Sequence, residues 1–359
     1  MGKVLTKTEQ VMVYIREGIL SGKWADSGKL PSEGSMMSEL GVSRSTYREA
    51  LAALSSEDLI TRKFGSGIYI NSRTSRTTVA VLARDTMISA PMAYWYRDLI
   101  DRWKGHIAEE NRKMVLAFAH GASDKELCDS VALFGSDAVK DTGGVLALLS
   151  PDPFKEILSR YSIPLVFATP YINPGSHWPT VFMDKEAEMR AVQELMSAAG
   201  YQDFAVMYAD SSGQGHSRYV EICQQRCMEW VLRLVNGDRD RLIPVPYSAD
   251  CVGAYIAFKT WWESAHRCRA VYFADDGLFD IAGRAIVDLG IRVPEDLALM
   301  TYANTGRRFV FPVDVTSVGF DPDEVAAKAW HMLRKLMRRE EMTSLVETVE
   351  PVVIERASL

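Results

Sequence analysis

Apolar positions at helical spacing open the chain: Val11, Tyr14, Ile15, Gly18 and Ile19 recur three to four apart within residues 8–21, and Gly22 stands where a helix would stop. Ala25 to Leu30 lacks that period and reads as a loop. Pro31-Ser32-Glu33 reads as a helix start, with Met36, Met37 and Leu40 on one face and Gly41 as the closing residue. Val42-Ser43 then leads into a third helical stretch, Arg44 to Leu54, for which Ser43 is the expected N-cap. Two short helices meeting through a glycine turn form a helix-turn-helix, whose second helix is the reader of the DNA major groove.

The period changes after this point. Leu59 to Lys63 and Ile68 to Ile70 are β-prone runs joined by Phe64-Gly65-Ser66-Gly67, the pattern of a hairpin placed as a wing. Residues 71–77 are polar and aperiodic, as a linker would be. From Thr78 onward, continuous apolar runs alternate with helical stretches: Val79 to Ala83, Met114 to Ala119, Gly144 to Leu149, Leu165 to Ala168, Phe204 to Tyr208, Ala270 to Phe273 and Leu297 to Tyr302. Strands that are apolar on both faces belong to parallel sheets covered on both sides by helices. The expected architecture is therefore α/β, with a winged helix over 1–70, a linker over 71–77 and a two-lobed, doubly wound domain over 78–359. The lobes are expected to divide near 181–184, 303–315 and 340–345, with a ligand crevice between them.

Composition changes the picture in one respect. The chain of 359 residues carries a net charge of −6, which argues against nucleic acid until it is divided. Residues 1–77 hold 11 lysines and arginines against 8 acidic residues, and the remainder holds 30 against 39, so a DNA contact is expected in the first part alone. No apolar run is long enough to cross a membrane and no signal-peptide layout opens the chain, so a cytoplasmic location is expected. The five cysteines suit a reduced compartment. Cys223 and Cys227, with His216 nearby, could hold a metal, but free cysteine is most often a small buried apolar residue; no metal or cofactor is expected.

Residues 14–70 carry Lys29-Leu30-Pro31-Ser32-Glu33, Leu40-Gly41-Val42-Ser43-Arg44-Ser45-Thr46, Arg48-Glu49-Ala50-Leu51, Leu59-Ile60 and Gly65-Ser66-Gly67. This run resembles the GntR-type winged helix. The rest resembles the periplasmic-binding-protein-like sensor of LacI-family regulators. That likeness rests on Pro164 to Phe167, Val181 to Asp184, Ala274-Asp275-Asp276, Gly290 to Asp296, Val315 to Val318 and Glu350-Pro351 through Ser358. The pairing is similar to the arabinose-repressor type, and implies a sugar-responsive repressor.

Arg44 and Arg48 lie in the first turns of the reading helix, where a guanidinium can reach guanine O6 and N7 or a phosphate. Ser32, Ser43, Ser45 and Thr46 offer hydroxyls and helix N-termini to phosphates, and Lys63 with Gly65 and Gly67 brings the wing close to a groove. The blander alternative makes Ser43 only a cap and both arginines solvated surface charges. Where the GntR pattern often has Arg after Pro-Ser-Glu, this chain has Gly34.

In the sensor, the resemblance implies effector contacts for Arg218, although Glu221 replaces the usual glycine, and for Asp275 and Asp276 after a strand. Helix capping is the alternative for Asp276. The usual acidic residue is replaced at Ala303, with Asn304 next and counted among the effector residues. Met92, Tyr94, Trp95, Tyr96 and Tyr247 are aromatic or apolar candidates for covering a sugar ring, while Trp178, Trp261 and Trp262 are read as structural.

No enzyme motif of the Gly-x-Ser-x-Gly, Walker or His-Glu-x-x-His kind occurs, so a non-enzyme is expected. Palindromic operators demand two heads related by a two-fold axis, which makes a homodimer the expected assembly, with operator DNA and a carbohydrate-like effector as partners. The alternatives are a solute-binding module without DNA binding and a ligand-dependent activator.

Overall fold

A computed structural model describes the chain except for residues 1–4, 21–22, 25–26, 58, 72–76, 86–93, 121–125, 127–128, 132–140, 150–162, 170–177, 211–217 and 247–250. The head comprises α1 (Lys7–Leu20), α2 (Glu33–Leu40), α3 (Arg44–Ser56), β1 (Ile60–Lys63) and β2 (Gly67–Ile70). Its core gathers Val11 and Ile15 from α1, Met36 from α2, Tyr47, Ala50, Leu51 and Leu54 from α3, and Ile60 and Ile70 from the hairpin. The positions 47, 50, 51 and 54 are one stripe of a helix, so burying them turns residues 44, 45, 48, 49 and 52 to solvent. Gly18, counted above with the apolar stripe, is there for room: a Cβ would stand 2.5 Å from the Trp24 ring.

The body has two sheets. The first runs β13–β7–β6–β5–β3–β4 and is wholly parallel. Its strands are β3 (Thr78–Arg84), β4 (Lys113–Ala119), β5 (Thr142–Ala147), β6 (Leu165–Thr169), β7 (Thr180–Met183) and β13 (Val346–Val349). The helices α4 (Tyr94–Glu109) and α9 (Pro322–Arg338) pack against it. They run side by side in one direction, since Arg102 pairs with Asp323 at 2.8 Å, Trp103 Nε1 donates to the Ala326 carbonyl, and Glu110 accepts from Arg334 at 2.6 Å.

The second sheet runs β14–β12–β11–β10–β8–β9, parallel except for β14. It comprises β8 (Ala205–Asp210), β9 (Leu242–Pro246), β10 (Ala270–Phe273), β11 (Ala298–Tyr302), β12 (Thr316–Gly319) and β14 (Val352–Ile354). Alternate residues divide between its faces. Val206, Tyr272 and Met300 meet α5 (Lys185–Ala198) and α6 (Arg218–Leu234), whereas Met207, Val271 and Phe273 meet α7 (Cys251–Trp262) and α8 (Asp276–Asp288). Both faces are thus covered, which is why these strands read as unbroken apolar runs.

The chain crosses between lobes at Asp184, which caps α5 by accepting from Ala187 N, then between β12 and α9, and again between β13 and β14. The last two crossings lie beyond the expected 303–315 and 340–345. β12 pairs with β11 before the chain leaves the second lobe, and β13 pairs with β7 in the first. The C-terminal residues return to the second lobe: the buried Ser358 hydroxyl accepts from Thr316 N and donates to the Leu299 carbonyl, each near 2.8 Å.

Candidate DNA-binding face and interlobe cleft

Ser43 is extended (φ −71°, ψ 158°), and its Oγ accepts from the Thr46 amide at 3.2 Å while lying 2.8 Å from Ser45 Oγ and 2.9 Å from Thr46 Oγ1. Ser32 caps α2 in the same way through Ser35 N. The two caps leave short hydroxyls and free amides at two neighbouring helix starts, an environment that favours phosphate oxygens. Arg44 and Arg48, one turn apart, are 68% and 56% exposed and share a single carboxylate: Glu33 Oε1 accepts from Arg48 Nε at 3.0 Å and lies 3.9 Å from Arg44 Nε. One acid against two bases leaves net positive charge, and an exposed pair worth about 0–1 kcal/mol yields readily to a phosphate or guanine. Gly34 is exposed with open space around it.

The wing closes on Lys63 paired with Gly67, and Gly65 and Gly67 hold φ of 72° and 115°, the left-handed region where a side chain would be strained. Lys63 Nζ sits 4.6 Å over the Tyr69 ring, Lys29 Nζ lies 5.6 Å from it, and Tyr69 OH meets Ser66 Oγ at 2.7 Å. Arg62 is exposed on the same hairpin. Lys29 bridges to Tyr69 and the Leu30 amide donates to the Ile68 carbonyl at 2.9 Å, so the wing is held against the segment that leads into α2.

In the body, residues of both lobes converge. Asn304, buried beyond β11, donates from Nδ2 to Asp98 Oδ2 of α4 at 2.9 Å, directly across the lobes. Asp275 is the N-cap of α8, accepting from Gly277 N at 2.8 Å and Leu278 N at 3.1 Å. The capping alternative weighed for Asp276 therefore falls on its neighbour. Asp276 is instead buried in the first turn, with its Oδ2 3.3 Å from Arg307 Nε. Burial lifts Asp275 to about 6, against the pull of its two amides. Burial and the charge of Asp275 lift Asp276 to about 7, outweighing Arg307. Arg307 also pairs with Asp280, and its guanidinium lies 3.9 Å from the centre of the Tyr94 ring of the opposite lobe.

Trp95 and Tyr96 are half-buried in the first turn of α4. Trp95 meets Phe320 edge-on at 6.3 Å, and Phe320 in turn meets Tyr302 at 6.5 Å. Met92 and Tyr247 lie outside the described residues. Arg218 opens α6, but its side chain is also outside them.

Arg307 and Asp98 were not among the expected residues. No spacing rule marks an arginine in the turn after β11, and Asp98 looks from sequence like any solvated helix carboxylate. Cys227 is half-buried, with its thiol raised to about 11 by desolvation, as an inert apolar cysteine would be; Cys223 and His216 have no described side chains. Trp178 stacks edge-on with Phe167, and Trp261 packs on Phe258, both within cores.

Residues 7–70 match the gntR family of bacterial regulatory proteins, and residues 192–359 match the periplasmic binding protein-like domain. The chain is 24% identical over 280 residues to the HTH-type transcriptional repressor PurR of Serratia proteamaculans (strain 568), covering 74% of this chain and 76% of that protein. Among solved structures it is similar to the transcriptional regulator CelR in complex with cellobiose, at a TM-score of 0.60 and 18% identity, covering 88% and 91% of the two chains. It is also similar to a sugar-binding regulator of the LacI family from Escherichia coli, at 0.61 and 16%, covering 80% and 99%.

Proposed function

We propose, from a gntR-type winged helix joined to a body with the LacI-family sensor fold, that the protein is a homodimeric, sequence-specific transcription repressor. Its operator affinity is set by a sugar or sugar derivative held between the lobes. The observation that carries this reading is the solvent face of α3, where Arg44 and Arg48 stand one turn apart beside two capped helix starts and a cationic wing. In the major groove these arginines would reach guanine edges, and Ser32, Ser43, Ser45 and Thr46 would take phosphates. The cleft would draw acceptors and donors from the second lobe in Asp276, Asn304 and Arg307 and an acceptor from the first in Asp98, with Trp95 and Tyr96 of the first lobe at its edge, a composition suited to vicinal hydroxyls on an apolar ring face. The cellobiose complex of CelR, a fold relative, supports a carbohydrate. A ligand touching both lobes would favour one setting of them and so one spacing of the two heads.

An electrophoretic shift against the DNA upstream of the protein's own gene tests the reading. Arg44→Ala and Arg48→Ala should each weaken a specific shift by about 5- to 150-fold, the equivalent of roughly 1–3 kcal/mol per good base contact. No specific shift by the wild-type protein, or unchanged affinity in both variants, would sink it. Titrating sugars and sugar acids into the shift distinguishes release from strengthening, and hence repressor from ligand-dependent activator.

A further inference from the structure

The tip of the wing carries an unusual residue. Between the paired Lys63 and Gly67 lie only Phe64, Gly65 and Ser66, and the turn is fixed by the Ser66 amide donating to the Lys63 carbonyl at 2.9 Å and by the Ser66–Tyr69 side-chain contact. Phe64 stands at 109% relative exposure, as open as a side chain in an extended peptide. A single exposed apolar residue needs no explanation by itself. This one is held at the end of a two-stranded arm, and cations surround its base: Arg62 and Lys63 precede it, and Lys29 joins Lys63 at the Tyr69 ring. The same arm is held against Lys29 and Leu30, the segment that leads into α2.

An aromatic ring ringed by cations fits a surface that is anionic at its walls and apolar at its floor. The minor groove of DNA has that chemistry: phosphates line a slot about 6 Å wide, and the faces of stacked bases are exposed only where a step opens. A peptide or membrane surface would call for an apolar patch wider than one ring. We propose that Phe64 is a wedge that enters the minor groove beside the major-groove site of α3 and partly unstacks one base step, with Arg62 and Lys63 on the flanking phosphates. The inference rests on the operator-binding reading and adds to it a specificity contact that selects deformable steps, pyrimidine–purine ones above all.

The probe is a duplex enriched by the wild-type protein from a random-sequence library, carrying 2-aminopurine at successive steps beside the α3 site. The wild-type complex should brighten at one step, as an unstacked 2-aminopurine does. Phe64→Ala should abolish that signal and weaken binding roughly tenfold, in the range of one base–aromatic contact. Phe64→Leu, which keeps an apolar wedge, should retain most of both. Lys63→Ala should lower the salt dependence by about one phosphate contact and leave the fluorescence in place. Because the ring is fully exposed, these variants fold as the wild type does. If no step brightens in the wild-type complex, or if Phe64→Ala keeps full affinity and full signal, the wedge is overturned while operator binding stands. If the library yields no enriched duplex, operator binding itself is overturned and the wedge with it.

Discussion

At the residue scale, a carboxyl group is caught between burial and an ion pair where the two lobes meet. Asp276 is buried beside a second carboxyl, and the Arg307 guanidinium does not compensate, so its proton is held up to about 7 and that of Asp275 up to about 6. In the unfolded chain both would release near the ordinary carboxylate value of about 4. The folded state therefore binds more protons between those limits. The stability that follows is complete below about pH 4 and is lost as pH rises through 6 to 7. Asp276→Asn should flatten the fall in thermal midpoint between pH 4.5 and 7.5; an unchanged pH slope would show that Asp276 does not hold its proton in the fold. The residues that resolve this site were not readable in advance. Asp275 and Asp276 were legible as a pair because they follow a strand. Which of the two caps α8 depends on a backbone angle at the strand's end, and the role of Arg307 depends on a long-range contact with Tyr94. At the DNA face, by contrast, Ser43, Arg44 and Arg48 were legible because capping and helical facing are local consequences of spacing.

Elements were legible where their pattern was long. Each of the seven continuous apolar runs coincides with a strand to within two residues, and α1 to α3 and the wing begin and end within a residue or two of expectation. β7, β9, β12, β13 and β14 were not marked as strands, because each is three to five residues long and several are partly polar or carry proline. Placing them moves the lobe boundaries. One element also carries more apolar surface than its fold uses: α7 buries Ala254, Phe258 and Trp261 against the second sheet, yet leaves Val252 and Ile256, one turn apart, each 55% exposed. Val287 of α8 is 45% exposed, and in the first lobe the edge strand β4 exposes Leu116 and Phe118. If the proposed homodimer on a two-fold operator holds, a second copy of the chain is the occupant of this surface. Ile256→Glu should shift the protein from dimer to monomer in sedimentation at micromolar concentration and reduce operator affinity through loss of the second head. A variant that remains dimeric would place the interface elsewhere.

Cleft and head are joined through the whole molecule by one helix. α9 begins just after Phe320, which touches Trp95 and Tyr302 at the cleft, and its cap is Asp321 with Pro322 at the first position. Seventeen residues later, about 25 Å at 1.5 Å per residue, it ends in Arg339, whose guanidinium donates to the carbonyl of Ile70, the last residue of the wing. Arg339 is half-buried there, with its pKa lowered to about 10 by desolvation, so it remains a cation at neutral pH. Beside it α4 runs in the same direction from Tyr94 and Asp98, the residues that meet Arg307 and Asn304 across the lobes. A change in lobe setting thus acts on the starts of two parallel rods, one of which grips the wing at its far end. Hydrogen bonds from charged groups contribute about 1.5–3 kcal/mol, enough to tie the head's position to the body but small against the stability of either. Arg339→Ala should therefore leave both domains folded. The unfolding of the head should separate, as a transition at lower temperature, from that of the body in scanning calorimetry. Operator affinity without ligand should change by less than threefold, whereas any change that the proposed effector produces in it should shrink towards none. A variant that unfolds as the wild type does and keeps the full ligand response would show that the signal reaches the head through the chain at 71–77 and not through α9.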